Sequence, residues 1–321
     1  MKKILLKKIL LFAGLLILSS SFLTGCKKDG LLVKSKSTDS TVTTLATGSA
    51  YYYITPDNNG NLYALGYGGT TIYKYNGNSG KTAFYTLPEI ASGDSTVVNK
   101  LECLTSDSLG NIYTVSVNNS GVANVLKITQ AGSASTIFSN IDANNGHQIQ
   151  YIVSNNGNFY FSDSNGIFKI APEGSPEFLV SSISADFAVD KNGNVLYVTY
   201  TSLNNIGEVN LNQVSAQGVK SALVPDLYNT GTNAGFGTDI VTDKFGNIYA
   251  YVTTNPFVLL KINTAAKVST VMIGTIGNVD GTFKTAEIGG AYNMVADPTG
   301  NIYFSQGNND FSESYLRKIT F

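Results

Sequence analysis

The stretch Asp57-Asn-Asn-Gly-Asn-Leu-Tyr63 decides the fold, because it recurs. The other copies are Asp107-Ser-Leu-Gly-Asn-Ile-Tyr113, Asn155-Asn-Gly-Asn-Phe-Tyr160, Asp190-Lys-Asn-Gly-Asn-Val-Leu-Tyr197, Asp243-Lys-Phe-Gly-Asn-Ile-Tyr249 and Asp297-Pro-Thr-Gly-Asn-Ile-Tyr303. Their glycines fall at 60, 110, 157, 193, 246 and 300, spaced 50, 47, 36, 53 and 54 residues apart. A repeat of this period signals a solenoid or a propeller. Asp can bond backbone N–H groups two residues on, Gly supplies positive φ, and Asn tolerates the left-handed region. The phrase therefore reads as a short turn between antiparallel strands, with Tyr opening the second strand. Asn155 opens a copy one residue shorter. The fourth copy carries an extra Leu196, which reads as a bulge or a one-residue slip.

A third strand follows each phrase, with Lys-Ile or its equivalent: 72–75, 125–128, 167–170, 206–209, 259–262 and 316–319. A more polar fourth strand follows, as at 135–138 and 268–272. Four short strands, six times over, predict an all-β, six-bladed propeller of four-stranded blades over residues 41–321. The sixth repeat stops after its third strand. Thr41-Val-Thr-Thr-Leu-Ala46 resembles the missing fourth, so an N-terminal strand is expected to complete the last blade and close the ring.

Composition agrees. The 321 residues include 32 Gly, 33 Asn, 19 Tyr and no Trp, and only 13% are charged. Gly and Asn mean turns; Tyr means strands. With 21 basic against 22 acidic residues, no nucleic-acid partner is expected. One His and two Cys exclude His-rich metal sites and disulfide scaffolds.

The first 25 residues read as an export signal. Lys2, Lys3, Lys7 and Lys8 form a basic start, Ile9 to Leu18 is apolar, and Leu23-Thr-Gly-Cys26 ends it. That ending resembles the bacterial lipobox, whose Cys is lipidated. Cys26 is thus the expected lipidation site, residues 26–40 the lipidated start and tether, and the bacterial outer membrane, periplasm-facing or at the cell surface, the location. Lys27-Lys-Asp29 resembles the charged tract behind that Cys in surface lipoproteins of the Bacteroides group. Removing four lysines moves the charge balance from −1 to −5. Cys103, left alone, reads as a compact buried residue.

In repeat six, Gly274-Thr-Ile-Gly277, Val279-Asp-Gly281, Ala286-Glu-Ile, Val295-Ala-Asp297 and Arg317-Lys-Ile319 resemble the NHL repeat. The other five repeats match it in part. The resemblance implies a six-bladed propeller, used as a binding platform by some members and as an enzyme by others.

Binding sites in propellers gather where loops lead into the innermost strands. Four residues before each turn's first residue the repeats place Tyr53, Cys103, Tyr151, Asp186, Asp239 and Asn293. Asp186, Asp239 and Asn293 are side by side on blades four to six. Such oxygens suit Ca²⁺ or Mg²⁺, and Ca²⁺ is the cofactor considered for this pattern. They are similar in kind to the calcium-holding channel of gluconolactonase and paraoxonase propellers. Glu102, Gln150, Tyr52 and Tyr292 lie one residue earlier, and His147 sits just before an inner strand; all five are candidates for touching a ligand. A lone His cannot serve the lyase propellers that use several, and no Walker, dinucleotide or Gly-x-Ser-x-Gly motif is present. The expectation is a monomeric, non-catalytic lipoprotein binding an extracellular ligand or protein partner at the channel mouth. A Ca²⁺-dependent hydrolase or lactonase, or a structural part of an outer-membrane nutrient-uptake complex, are the alternatives.

Overall fold

A computed structural model describes residues 40–48, 51–75, 80–88, 100–118, 121–141, 149–181, 186–203, 206–229, 238–253, 257–307 and 314–321. The expected signal, Cys26 and most of the tether lie outside them, as does His147. Among the described residues there is no helix. Six antiparallel sheets are present. Blades one to five are four-stranded and run in chain order from an inner strand outward. Their inner strands are Tyr53–Pro56, Lys100–Ser106, Tyr151–Asn155, Phe187–Val189 and Thr238–Thr242. That of blade six is Gly290–Ala296. Each inner strand packs against the next, and the sixth against the first, so the ring closes.

Closure uses the N-terminal strand. Thr41–Gly48 pairs antiparallel with Ser314–Thr320, from Thr41 opposite Thr320 to Gly48 opposite Ser314. A short strand, Gly281–Thr282, pairs with the far side of Thr41 and Val42. The seam is latched. Asp280 accepts from the Thr44 N–H (2.8 Å) and Thr44 Oγ1 (2.7 Å), and from Nη2 of Arg317 (3.0 Å). Arg317 is fully buried and also donates to the carbonyls of Glu287 and Val279 and to Gln306 Oε1. The stretch that resembles the NHL repeat thus clamps the last blade, and Asp280 is held below the usual carboxylate range by the Thr44 and Arg317 hydrogen bonds, which outweigh its burial.

The recurring turn works as its chemistry demands. In copies one, two, four, five and six, Asp Oδ1 accepts from the N–H groups two and four residues on, and Oδ2 accepts from the Asn side chain. Tyr63, Tyr113 and Tyr303 add a hydroxyl to the same carboxylate. Each Gly sits near φ +80° to +90° and donates to the Asp carbonyl. Blade three differs. Asn156 and Gly157, at φ 51° and 81°, form a two-residue turn of the mirror-image type that suits a tight hairpin.

One expectation fails. Leu196 is no extra residue: it pairs with Ala188, as Tyr63 pairs with Thr55, and no bulge interrupts either strand pair. Leu196 replaces the tyrosine, and Tyr197 is the next residue along. The Lys of the third strand is also more than a solvated side chain. Lys74, Lys261 and Lys318 lie opposite Tyr63, Tyr249 and Tyr303, with the ammonium 5.4–5.6 Å from the ring centre. The core is a set of apolar clusters between neighbouring blades, such as Leu101, Val115, Val125 and Phe161 in blades two and three.

Candidate functional site

Every inner strand runs from a mouth where loops arrive to a mouth where the repeated turns gather. We call these the loop mouth and the turn mouth. The turn mouth opens into a cavity of about 460 Å³. Its polar lining is occupied by stitches between blades. Ser106 donates to the Pro56 carbonyl (2.6 Å), the Ser154 N–H donates to Thr105 Oγ1 (3.1 Å), and Thr242 donates to the Val189 carbonyl (3.2 Å). Asn155 donates to the Asp190 carbonyl (2.8 Å).

The loop mouth carries the residues singled out from the sequence, with one change of register. Cys103 is a bulge with φ 58°, and Glu102 pairs with Val115 at the level where Tyr53 pairs with Leu65. Glu102, not Cys103, therefore shares the level of Tyr53, Tyr151, Asp186, Asp239 and Asn293. A second bulge, at Tyr292, lies between Ala291 and Asn293. Bulges of this kind re-aim side chains beside functional sites.

Asp186 and Asp239 come together on adjacent inner strands. Asp239 is 5% exposed, and neither carboxylate oxygen has a hydrogen-bond partner of normal geometry. Burial and the Asp186 charge push its pKa up, although the Met294 and Ile240 amides favour the charged form. Asp186 keeps some accessible surface yet is enclosed by protein, and loss of water pushes it up to about 7. Tyr151 is close to both acids and is raised by burial first and Asp239 second. Asn293 is spoken for: Oδ1 accepts from the Ile54 N–H of blade one (2.9 Å), and its amide supports the Tyr151 hydroxyl. Asn293 thus satisfies the free edge of the neighbouring blade. Among the described residues no three His, Cys, Asp or Glu side chains converge on a metal-sized site.

Above the acids stand tyrosines. Tyr52 and Tyr292 stack at 4.8 Å and 22°, and Tyr67, largely exposed, leans on Tyr52 at 5.2 Å. Burial raises the Tyr52 phenol, and the Asp186 carboxylate raises it further, which puts ring and acid in one neighbourhood. Glu102 is buried and ion-paired with Lys100. Gln150 is exposed beside the mouth. Cys103 is fully buried, and burial and Glu102 push its thiol up, the opposite of an activated nucleophile. Tyr67 and Tyr151 complete the site beyond the residues chosen from sequence. Their type gave no signal, because tyrosine is common throughout the repeats.

No protein-family model matches the chain, and no curated protein matches it in sequence. Solved structures do match in fold. A protein of unknown function from Bacteroides thetaiotaomicron is 13% identical, with TM-score 0.60 over 88% of this chain and 76% of that one. The PQQ-bound aldose sugar dehydrogenase of Streptomyces coelicolor gives 0.56 at 13% identity, over 88% and 98%. A gluconolactonase from Xanthomonas campestris gives 0.54 at 10% identity, over 88% and 89%. At such identities the likeness shows the six-bladed propeller and nothing about chemistry.

Proposed function

We propose that the chain is an exported, lipid-anchored propeller of the NHL type that binds an extracellular ligand or protein partner at the loop mouth without transforming it. The observation that carries this is Asp239, buried with both oxygens unpartnered beneath the stacked Tyr52 and Tyr292. A protein that needed only stability would have an apolar or hydrogen-bonded group there. Catalytic equipment is thin. Cys103 is buried with a raised thiol pKa, and the lone His147 has no partner His. Anchoring rests on the lipobox-like Leu23-Thr-Gly-Cys26.

The test is a thermal-shift screen of the full chain in detergent against sugars, peptides and amines. A ligand that raises Tm in the wild type but not in Tyr52→Ala, while Asn58→Ala at the turn mouth behaves as wild type, supports the reading. A ligand lost in Asn58→Ala and kept in Tyr52→Ala moves the site to the other mouth and ends it. Labelling with radioactive palmitate, lost in Cys26→Ala, tests the anchor.

The hydrolase reading draws on the same acids. Two carboxylates fall short of the six to eight oxygens Ca²⁺ takes, so water and substrate would have to supply the rest. Lactone turnover that appears only on adding Ca²⁺, and disappears in Asp186→Asn, would establish it.

A further inference from the structure

We propose that the seam of the ring makes a second site, between blades five and six on the turn side, which takes a sugar ring against Phe245 and Phe321. It is independent of the loop mouth.

The site comes from the way the ring closes. In blade two the third strand runs on through Thr129-Gln130 into a turn that leads to the fourth. Gln130 fills the gap to blade one. Its Oε1 accepts from the Tyr63 hydroxyl (3.4 Å), and its amide donates to the Gly110 carbonyl. Phe321 holds the same place in blade six, two residues beyond Ile319 as Gln130 is two beyond Ile128. There the fourth strand is Thr41–Gly48, from the N-terminal part of the chain, so no turn joins it to the third.

The gap between blades five and six holds a cavity of about 250 Å³. Phe321 stacks on the Tyr249 ring at 5.1 Å and 29°, and offers no oxygen where Gln130 offers one. Tyr63, Tyr113 and Tyr303 donate to the aspartates of their own turns, whereas the Tyr249 hydroxyl bonds to no described residue. Tyr249 is nonetheless only 1% exposed. A hydroxyl so enclosed is ordinarily paired, and the cavity it lines is where a partner can reach it.

The walls say what kind of partner fits. Phe245 is 65% exposed and lines the cavity from the blade-five turn. Its edge rests on Gly300 of the neighbouring turn, where a Cβ would stand 2.8 Å from the ring, so a bare glycine seats it. Lys244 lies over the ring at 4.9 Å, and no aromatic ring among the described residues packs on it. Lys261 lines the cavity with no acidic partner among the described residues, and Asp243 lines it too, so its charges balance. Apolar ring faces beside a phenol donor, an ammonium and the amide oxygens of Asn247 and Asn301 suit a neutral ligand with a C–H face and a rim of hydroxyls. A pyranose has both. A purely apolar ligand would leave the Tyr249 hydroxyl unpaired. A metal ion would find one carboxylate, which already accepts three hydrogen bonds from its own turn.

The experiment is calorimetry on the full chain in a sugar-free detergent. The probes are the methyl glycosides of glucose, galactose, mannose and N-acetylglucosamine, with cyclohexanol as the hydroxyl-poor control. At least one glycoside is expected to bind. Phe245→Ala should weaken it about tenfold and Tyr249→Phe about fivefold, while Tyr52→Ala binds as the wild type does. Tyr249→Phe removes a hydroxyl that holds nothing in the fold, so its Tm should equal that of the wild type, and the melting curve of Phe245→Ala checks that it folds. No heat from any glycoside overturns the proposal. So does cyclohexanol binding as tightly as the best glycoside, or glycoside binding unchanged in Phe245→Ala or in Tyr249→Phe. Binding lost in Tyr52→Ala also overturns it, by moving the sugar to the loop mouth, and supports the loop-mouth reading. Failure at the seam leaves that reading to its own Tyr52→Ala screen.

Discussion

At the turn mouth, Asp297 accepts five hydrogen bonds from its own turn and from Tyr303; at the loop mouth, on the neighbouring blade's inner strand, Asp239 accepts none of normal geometry. Both are buried aspartates of one channel. The turn mouth is where the repeats agree with one another, and its polar groups are used up in turns and blade-to-blade stitches. The loop mouth is where they disagree. Equivalent positions hold Tyr53, Glu102, Tyr151, Asp186, Asp239 and Asn293, and both inner-strand bulges among the described residues fall there. In a repeat ring, regularity serves the fold, and function is sought where symmetry is broken.

The largest expected effect lies at the turn mouth. Asp297→Ala strips five hydrogen bonds and should cost about 2–4 kcal/mol in urea unfolding, with ligand affinity of the folded fraction unchanged. The pH profile should separate the mouths next. Asp107 and Asp297 are held below the ordinary carboxylate range by hydrogen bonds from Asn111 and Asn301 that outweigh their burial, so their stabilisation is lost as pH falls below about 4. Asp186 is pushed up to about 7 by burial. The folded chain then keeps a proton that the unfolded chain has released, and stability falls as pH rises from about 4 toward 7. Tm should therefore peak in the mildly acidic range, and Asp186→Asn should flatten only the upper side. A wild-type Tm that rises through this window would remove the distinction.

Asp239→Asn should go the other way from Asp297→Ala, raising stability at neutral pH by about 1 kcal/mol because the fold no longer has to keep a buried acid protonated, while ligand binding weakens. Loss of stability would make Asp239 a structural residue like its turn-mouth counterpart. The smallest effect belongs to neither mouth. Lys74→Ala, losing a cross-strand ammonium over Tyr63, should cost about 0.5 kcal/mol by denaturant titration and leave binding untouched.

The fold was legible because each turn states its own mechanics: Asp57, Gly60 and Asn61 can do little else at that spacing. Blade four misled for a physical reason. Tyr197 suggested an alignment with the other tyrosines, whereas buried Leu196 fills that place and Tyr197 faces the other side of the sheet. The site was legible as a level in the ring, since Asp186 and Asp239 do meet. Its details were not. A bulge at a non-glycine residue leaves no sequence mark, so Cys103 was placed where Glu102 belongs. Nor can a sequence show that Asn293 spends its oxygen on the strand edge of blade one, 239 residues away.

The latched seam has a consequence in time. Thr41 pairs with Thr320, and Asp280, between them in sequence, holds Thr44 to Arg317. Among the described residues, the first strand to be synthesised therefore waits for the last before its ladder can form. Pairings this distant in sequence close slowly. Until then blade six is a three-stranded sheet with an open edge, able to accept any free strand of suitable register. The burial of Arg317 and the double grip of Asp280 on Thr44 make the chain's own strand the best occupant of that edge once it arrives.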